Sequence, residues 1–368
     1  MRATAQPRVG RPAGWVPAFL RTAAIVVGRG RTHLAVLLAF FLFGPPAGGQ
    51  TSLGYTDLGL LISSRGAGRY GYGYAPAILR EDGRYHMVFC SYGRPGIWDY
   101  LRYAVSDDGV TWSRPAILLE GTDLKGERAA CDPAVVRYRA PGDAAPFWYL
   151  FYSGNAEGVQ TAMFVARAER IDGPYAKWTR RGTWEVGAGD PATILEPANP
   201  KADGSGFYGA GQQSVVVEGG RLVSWYVDDT TCPVSCARLF RTESRDPTAW
   251  PRGQDTEVSP AHAPDVKRDG AGYVLYAAEP AHAPGAALVR RRSADGRRWG
   301  LPEPVCDADC LPDYAHNAGI AADASGQVIR DGALVVYAAP AREERNCGAC
   351  LGRWDLFGGI VAAPSPRR

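Results

Sequence analysis

Short apolar stretches of four to seven residues recur along the chain, and turns rich in Gly and Asp separate them. Residues 147–152 and 332–337 are two examples. Stretches of this length that are alternately or continuously apolar between turn residues predict β-strands. No stretch shows a convincing amphipathic helical pattern. The sequence therefore predicts an all-β protein.

The predicted strands form five copies of one pattern. Each copy has an apolar strand, a polar turn with Gly, an aromatic strand and a charged strand that leads to a Trp. The copies begin near residues 75, 132, 213, 265 and 317. A period near fifty residues with about four short strands per copy is typical of a β-propeller. We predict one five-bladed β-propeller over residues 50–368, with a β-sandwich as the alternative fold.

The longest interval between copies holds an insertion, residues 184–207, with Gly and Pro throughout. Long loops that carry no regular structure are often functional and lie at binding sites. We expect this insertion to help shape a site.

The first 49 residues have the pattern of a targeting segment. Residues 34–43 are uncharged and apolar, Arg29 and Arg31 precede them, and small residues follow them. This order predicts a signal peptide, and an uncleaved anchor is the alternative. We exclude residues 1–49 from the fold and expect a secreted or periplasmic protein that does not associate with the membrane after cleavage.

The eight cysteines agree with export. In an oxidising compartment, close pairs in sequence are most simply disulfides. The predicted pairs are Cys232–Cys236, Cys306–Cys310 and Cys347–Cys350, which leaves Cys90 with Cys131. A zinc site that includes Cys347 and Cys350 is the alternative for the third pair.

The composition narrows the function. The chain is 46% hydrophobic and carries a net charge of +3, which excludes a disordered chain and gives no sign of a nucleic-acid partner. Ten Trp and 18 Tyr together with many Gly and Pro favour a protein that handles carbohydrate. We expect a monomer with a carbohydrate substrate or ligand.

Candidate chemistry lies where the blades converge. The first strands of propeller blades meet at the axis, so polar residues at their starts face one funnel. Burying such groups has a cost unless they are paired or used. Two carboxylates and an imidazole can supply acid and base to a glycosidic bond. The predicted catalytic residues are Asp132, Asp265 and His316.

Further residues at strand starts and strand ends are candidate contacts for a sugar. They are Tyr74, Trp98, Asp99, Gln212, Gln213, Asp229, Glu279 and Asn317. The alternative is that the acidic residues cap turns and the aromatic residues pack between blades. Glu279 is also a reserve candidate for a catalytic acid.

The blade pattern, the sequence Cys131-Asp132-Pro133 and the motif from Ser106 to Trp112 together resemble the five-bladed glycoside hydrolases of family 43 and the invertase-type enzymes of family 32. The motif also looks like a sialidase Asp-box, which is a structural turn. Family 43 implies a base Asp in blade one, an Asp in blade two and an acid Glu in blade three. This sequence matches only Asp132, because blade one has Ala75 and blade three opens without a Glu.

A second resemblance concerns His316. Its position is similar to that of the histidine thought to be the general acid in glycoside hydrolase family 117. Asp132 would then orient the substrate, Asp265 would act as base, and hydrolysis would invert the anomeric centre, as in family 43. Propellers of family 43 also often place a histidine near an axial metal ion, so His316 beside a structural calcium ion is the other interpretation.

No further cofactor is expected. Two functions stay open, namely a secreted glycoside hydrolase and a non-catalytic glycan-binding propeller that has lost the catalytic residues.

Overall fold

The computed structural model describes residues 54–362 of the chain, with gaps. The gaps are residues 65–71, 94–98, 123, 125, 156–158, 201–207, 233–236, 259–262, 282–283, 307–310, 312–313, 331 and 341–353. The described residues form 21 β-strands and no helix, so the prediction of an all-β protein is confirmed. None of these residues belongs to a helix long and apolar enough to cross a membrane.

The strands form five antiparallel sheets, which are the five blades of a propeller. Blade one consists of β2 (Gly73–Glu81), β3 (Arg84–Tyr92), β4 (Asp99–Ser106) and β5 (Ala116–Leu119). Blade two consists of β6 (Ala129–Tyr138), β7 (Phe147–Asn155), β8 (Ala162–Ala168), β9 (Ala176–Trp178) and β10 (Trp184–Val186). Blade three consists of β11 (Ala210–Glu218), β12 (Arg221–Asp228), β13 (Leu239–Ser244) and β14 (Gln254–Asp255).

Blade four consists of β15 (Asp265–Asp269), β16 (Gly272–Glu279), β17 (Ala287–Ser293) and β18 (Glu303–Cys306). Blade five takes β19 (His316–Ile320), β20 (Ala333–Pro340) and β21 (Trp354–Val361) from the end of the chain and β1 (Tyr55–Ile62) from near its start. Strand β1 pairs with β21, Tyr55 opposite Val361. This pairing closes the ring, because the fifth blade needs strands from both ends of the domain.

The apolar core lies between the blades. Among the described residues the buried apolar side chains form five clusters, one between each pair of neighbouring blades. Trp225 of blade three shows how the blades are held together, because its indole N–H donates a 2.6 Å hydrogen bond to the carbonyl of Gly296 in blade four. Its ring is fully buried, which adds a large apolar contribution at this junction.

The motif from Ser106 to Trp112 is a structural turn, as its Asp-box pattern predicts. Oδ1 of Asp108 accepts hydrogen bonds from the backbone N–H groups of Val110 and Thr111 and from the hydroxyl of Ser106. These bonds stabilise the carboxylate and hold the pKa of Asp108 well below its usual range. Asp108 therefore stabilises the turn.

A loop of blade five closes one end of the central channel. Residues 322–326 accept a backbone hydrogen bond from each of the other four inner strands. The donors are the N–H groups of Arg80, Arg137, Val217 and Arg268, with N···O distances of 2.7–2.9 Å. We call residues 322–328 the plug loop. It lies at the end of the channel where the inner strands finish.

One predicted disulfide is confirmed. Cys90 in β3 is bonded to Cys131 in β6, which joins blade one to blade two. Cys232 and Cys306 are also disulfide-bonded. Their predicted partners, Cys236 and Cys310, and the predicted pair Cys347–Cys350 lie outside the described residues.

Candidate functional site

One residue near the start of each inner strand adopts a left-handed backbone conformation. These residues are Ala75, Asp132, Gln212, Ala263 and Asn317, with φ between 42° and 51°. In blades one, two, three and five the strand pairing also shifts register here. A non-glycine residue with positive φ carries strain, and such strain often accompanies functional sites. We call these five positions the axial ring.

The axial ring shows that the sequence alignment of blade four, which matched Asp265 to Asp132, was wrong. The residue there that corresponds to Asp132 is Ala263, so Asp265 lies two residues further along. The corresponding residue of blade three is Gln212. Asp132 is therefore the one carboxylate in the ring.

The axial ring surrounds a small pocket. Its walls are formed by Ala75, Pro76, Asp132, Pro133, Gln212, Gln213, Ser214, Ala263, Pro264, Asp265, Asn317 and Ala318. The enclosed space is about 30 Å³, which is room for one or two waters. A ligand larger than a few atoms would have to lie across the mouth of this pocket.

Asp132 is almost fully buried and is held by hydroxyl groups and a side-chain amide. The hydroxyl of Tyr208 donates a 2.7 Å hydrogen bond to its Oδ2. Its carbonyl oxygen accepts from Nε2 of Gln213. Burial raises the pKa of Asp132, and hydrogen bonds from Tyr208 and Ser153 oppose that rise. Among the described residues, no Lys or Arg forms an ion pair with this carboxylate.

Tyr208 is a site residue that the sequence pattern did not indicate. The Asp229 carboxylate accepts the backbone N–H groups of Tyr208 and Gly209, at 2.8 and 2.9 Å. Asp229 is buried, and its hydrogen bonds fix the end of the insertion. This places the Tyr208 hydroxyl on Asp132. Tyr208 directly follows the predicted insertion, and that location was the only available signal.

Asp265 lines the same pocket as Asp132, but both of its carboxylate oxygens accept hydrogen bonds from other protein groups. Its Oδ1 accepts from Nζ of Lys267 at 2.7 Å and from the hydroxyl of Ser214 at 3.2 Å. Its Oδ2 accepts from the backbone N–H of Ile320 at 2.9 Å. A lysine therefore neutralises this carboxylate, whereas the carboxylate of Asp132 is held by the hydroxyls of Tyr208 and Ser153.

Asp99 forms a second carboxylate centre, with two tyrosines. The hydroxyls of Tyr72 and Tyr74 donate to Oδ1 and Oδ2 at 2.5 and 2.8 Å. Burial raises the pKa of Asp99 to about 6, and the negative charge of Asp132 adds to the rise, although the two tyrosines lower it. Asp99 thus makes tyrosine contacts instead of capping a turn.

His316 lies in an aromatic cluster next to the axial ring. Its ring is buried, 4.3 Å from the ring of Trp354 and 6.0 Å from that of Tyr74 between centroids. The side chains that line the pocket include Asp132 and Asp265 but not His316. The structure therefore brings two of the three predicted catalytic residues to one pocket.

The remaining predicted contacts have three different outcomes. Gln212, Gln213 and Asn317 line the pocket. Glu279 lies at the end of β16 and forms a 2.8 Å ion pair with Arg291, so its carboxylate is neutralised away from the pocket. Trp98 lies outside the described residues.

One group of potential metal ligands lies at the site. Among the described residues, Cys90, Cys131 and Asp132 bring a sulfur or carboxylate atom within 4.8 Å of one another. The two cysteines are bonded to each other and cannot serve as thiolates. This group does not fit a metal, and the predicted calcium ion on the axis stays a prediction.

No family model and no curated protein matches the chain. Solved structures do match. The catalytic domain of an α-L-arabinofuranosidase of glycoside hydrolase family 62 from Coprinopsis cinerea is 16% identical with a TM-score of 0.60, and the match covers 84% of this chain and 97% of that one. The family 62 α-L-arabinofuranosidase PaAbf62A from Podospora anserina, in complex with cellotriose, is 14% identical with a TM-score of 0.59 and coverages of 86% and 98%.

Zg3597, a family 117 glycoside hydrolase from the marine bacterium Zobellia galactanivorans, is 13% identical with a TM-score of 0.59 and coverages of 86% and 92%. A thermostable family 43 glycoside hydrolase also matches, at 14% identity and a TM-score of 0.57. At this level of identity the comparison establishes the fold, not the activity. The chain has the five-bladed β-propeller fold of the glycoside hydrolases of families 43, 62 and 117.

Proposed function

We propose that this protein is an exported saccharide-binding propeller whose ligand lies across the mouth of the axial pocket, with Asp132 as its main polar contact. One observation carries the proposal. Asp132 is a buried carboxylate at the convergence of the blades, and no cation compensates it within the described residues. An uncompensated buried charge is costly, so its place on the axis points to use by a ligand.

The chemistry of the pocket suits sugar hydroxyls. A carboxylate accepts hydrogen bonds, and the side-chain amides of Gln212 and Asn317 can both donate and accept them. Ala75 and Ala263 leave space at the two other ring positions. The structural neighbours support the ligand class, because one of them was solved with cellotriose and another with xylotriose. Disulfides support export, since they form in oxidising compartments.

The carboxylates of the axial pocket favour saccharide binding without hydrolysis. Acid and base hydrolysis uses two groups on either side of the bond. In the axial pocket, Asp265 is neutralised by Lys267, and alanine and glutamine occupy the ring positions of blades one and three. Asp132 alone can orient a sugar but cannot serve as both acid and base.

Hydrolysis is the second candidate, and Asp99 favours it. Its pKa of about 6 would leave part of the carboxyl protonated near neutral pH, as a general acid requires. The charge of Asp132 acts on Asp99, so the two groups are electrostatically coupled. In that mechanism Asp132 would activate water and Asp99 would protonate the leaving oxygen.

One experiment separates the two functions. Residues 50–368 are produced with export so that disulfides form, and are tested on arabinan, xylan, galactan and agar oligosaccharides for binding by calorimetry and for products by chromatography. The variants are Asp132→Asn, Asp99→Asn and the surface control Asp107→Asn. We expect an oligosaccharide to bind without products, and Asp132→Asn to weaken binding roughly tenfold or more.

Each other result has a defined meaning. Products that disappear in Asp99→Asn would establish hydrolysis. Binding that is equal in Asp132→Asn and Asp107→Asn would overturn the axial site. Failure of every oligosaccharide to bind would overturn the saccharide-binding function.

A further inference from the structure

A second cavity lies between blades four and five, at the opposite ends of the strands from the axial pocket. Its volume is about 260 Å³, close to the lower limit of roughly 300 Å³ for small-molecule sites. Asp269, at the end of β15, and Val361, at the end of β21, both line it. The axial ring, in contrast, lies near the starts of the inner strands. The cavity is therefore separate from the site described above.

Two arginines of this cavity share one carboxylate. Nη1 of Arg292 donates to Oδ2 of Asp269 at 2.8 Å, and Nη2 of Arg330 donates to Oδ1 at 3.2 Å. Arg292 comes from β17 of blade four, and Arg330 comes from the connection that carries the plug loop. The Asp269 carboxylate thus uses both oxygens to hold two guanidinium groups at the cavity.

A third arginine lies deeper. Arg290 is 5% exposed, and its Nε and Nη2 both bind Oε2 of Glu303. Nε of Arg292 lies 3.7 Å from the other oxygen of Glu303. The cluster thus contains three arginines and two carboxylates, and its formal charge is 3 − 2 = +1.

The rest of the cavity wall is mostly apolar. These side chains are Val274, Val328, Ile329, Ala333 and Val361. A ligand that combines one negative charge with a partly apolar body would match this lining. Charged sugar units have this character, because the C–H groups on a ring face are apolar and the ring carries hydroxyls around its edge.

We propose that this cavity binds a single acidic sugar unit through its oxyanion, which is the carboxylate of a uronate or the oxygens of a sulfate ester. Both groups carry one negative charge, which would balance the residual positive charge of the cluster. Guanidinium groups pair with such planar or multi-oxygen anions through two parallel hydrogen bonds. The site is separate from the axial pocket, and the proposal does not depend on the saccharide-binding function proposed there.

The test uses small probes and isotope-labelled protein. Glucuronic acid, glucose 6-sulfate, glucose and inorganic sulfate are titrated separately at low ionic strength, and the methyl signals of Val274, Ile329 and Val361 report occupancy. The variants are Arg330→Gln and Arg292→Gln. Arg291→Gln is the matched control, because Arg291 lies on the same strand as Arg292 but pairs with Glu279 and does not line the cavity.

We expect at least one acidic sugar to shift these signals saturably, and either cavity variant to weaken that binding roughly tenfold or more. Binding should fall as salt is added, and should persist in Arg291→Gln and Asp132→Asn. A response to glucose equal to that of the acid, equal binding in all variants, or no saturable shift with either acidic sugar would overturn the proposal. So would inorganic sulfate binding as tightly as the sugars, because the ring would then contribute nothing.

Discussion

The ammonium group of Lys267 donates a 2.7 Å hydrogen bond to Oδ1 of Asp265, which lines the axial pocket, and both side chains are nearly enclosed. Removing one partner of a buried ion pair leaves an uncompensated charge. We expect Lys267→Met to lower the free energy of unfolding by about 3–5 kcal/mol, measured by urea denaturation at pH 7. The double variant with Asp265→Asn should recover part of this loss, and a single variant as stable as the wild type would contradict the pairing.

Tyr208→Phe tests how Asp132 is held. The variant removes the hydroxyl that donates to Oδ2 of Asp132, so the ionised form loses a stabilising hydrogen bond. We expect the pKa of Asp132 to rise above its value in the wild type, measured by carboxyl ¹³C NMR titration, with Asp132→Asn used to identify the signal. Tyr138→Phe is the control, because that hydroxyl binds the carbonyls of Gly220 and Arg245. An unchanged titration in Tyr208→Phe would show that the tyrosine does not orient the carboxylate.

Asp99 predicts a pH dependence of stability. Its pKa in the folded protein is about 6, above the ordinary value of 3.8. Between about pH 4 and pH 6 the folded state binds more protons than the unfolded state, so Asp99 reduces stability as the pH rises through this window. Asp99→Asn should therefore gain stability relative to the wild type between pH 4 and pH 7, by about 2–3 kcal/mol. Thermal or urea unfolding of both proteins at the two pH values measures it, and a difference independent of pH would refute it.

Gly326→Ala tests the plug loop. Gly326 has φ of +84°, and a Cβ there would lie 2.7 Å from Cγ1 of Val216 in blade three. Gly219 also has positive φ, but no atom lies within 4 Å of a Cβ built on it. Both alanine variants bear the backbone strain of about 1–2 kcal/mol, and Gly326→Ala should lose further stability because of the clash. Equal melting temperatures for the two variants would mean that the loop moves away from blade three freely.

The blades were predictable because their signal is repeated. Each copy supplies its own strands and turn, so a doubtful strand in one copy is supported by the same strand in the others. The turn that ends at Trp112 was also predictable, because the Asp-box pattern specifies a structure that depends only on residues close in sequence. Closure of the ring by β1 was not predicted, because that strand precedes the first copy and is far in sequence from the other three strands of blade five.

Site residues were predictable only where a polar or ionisable side chain lies near the start of an inner strand. Asp132 met this condition. Ala263 did not, because alanine gives no chemical sign of its special backbone conformation, and Asp265 was aligned in its place. The pairing of Asp265 with Lys267 had a signal, since residues two apart lie on the same face of a strand. Tyr208 depended on the path of the insertion, which composition alone does not specify.

The plug loop of blade five connects the stability of all five blades. The amides of Arg80, Arg137, Val217 and Arg268 belong to four different blades, yet each ends on a carbonyl of one short loop. Loss of that loop would leave four amides without partners at the same moment, each at a cost of about 1–3 kcal/mol if water did not reach it. In native-state hydrogen exchange these amides should therefore open together, despite the long stretches of chain between them. Blade five therefore stabilises the ring in two ways: its sheet completes the circle, and its loop joins the inner strands of the four other blades.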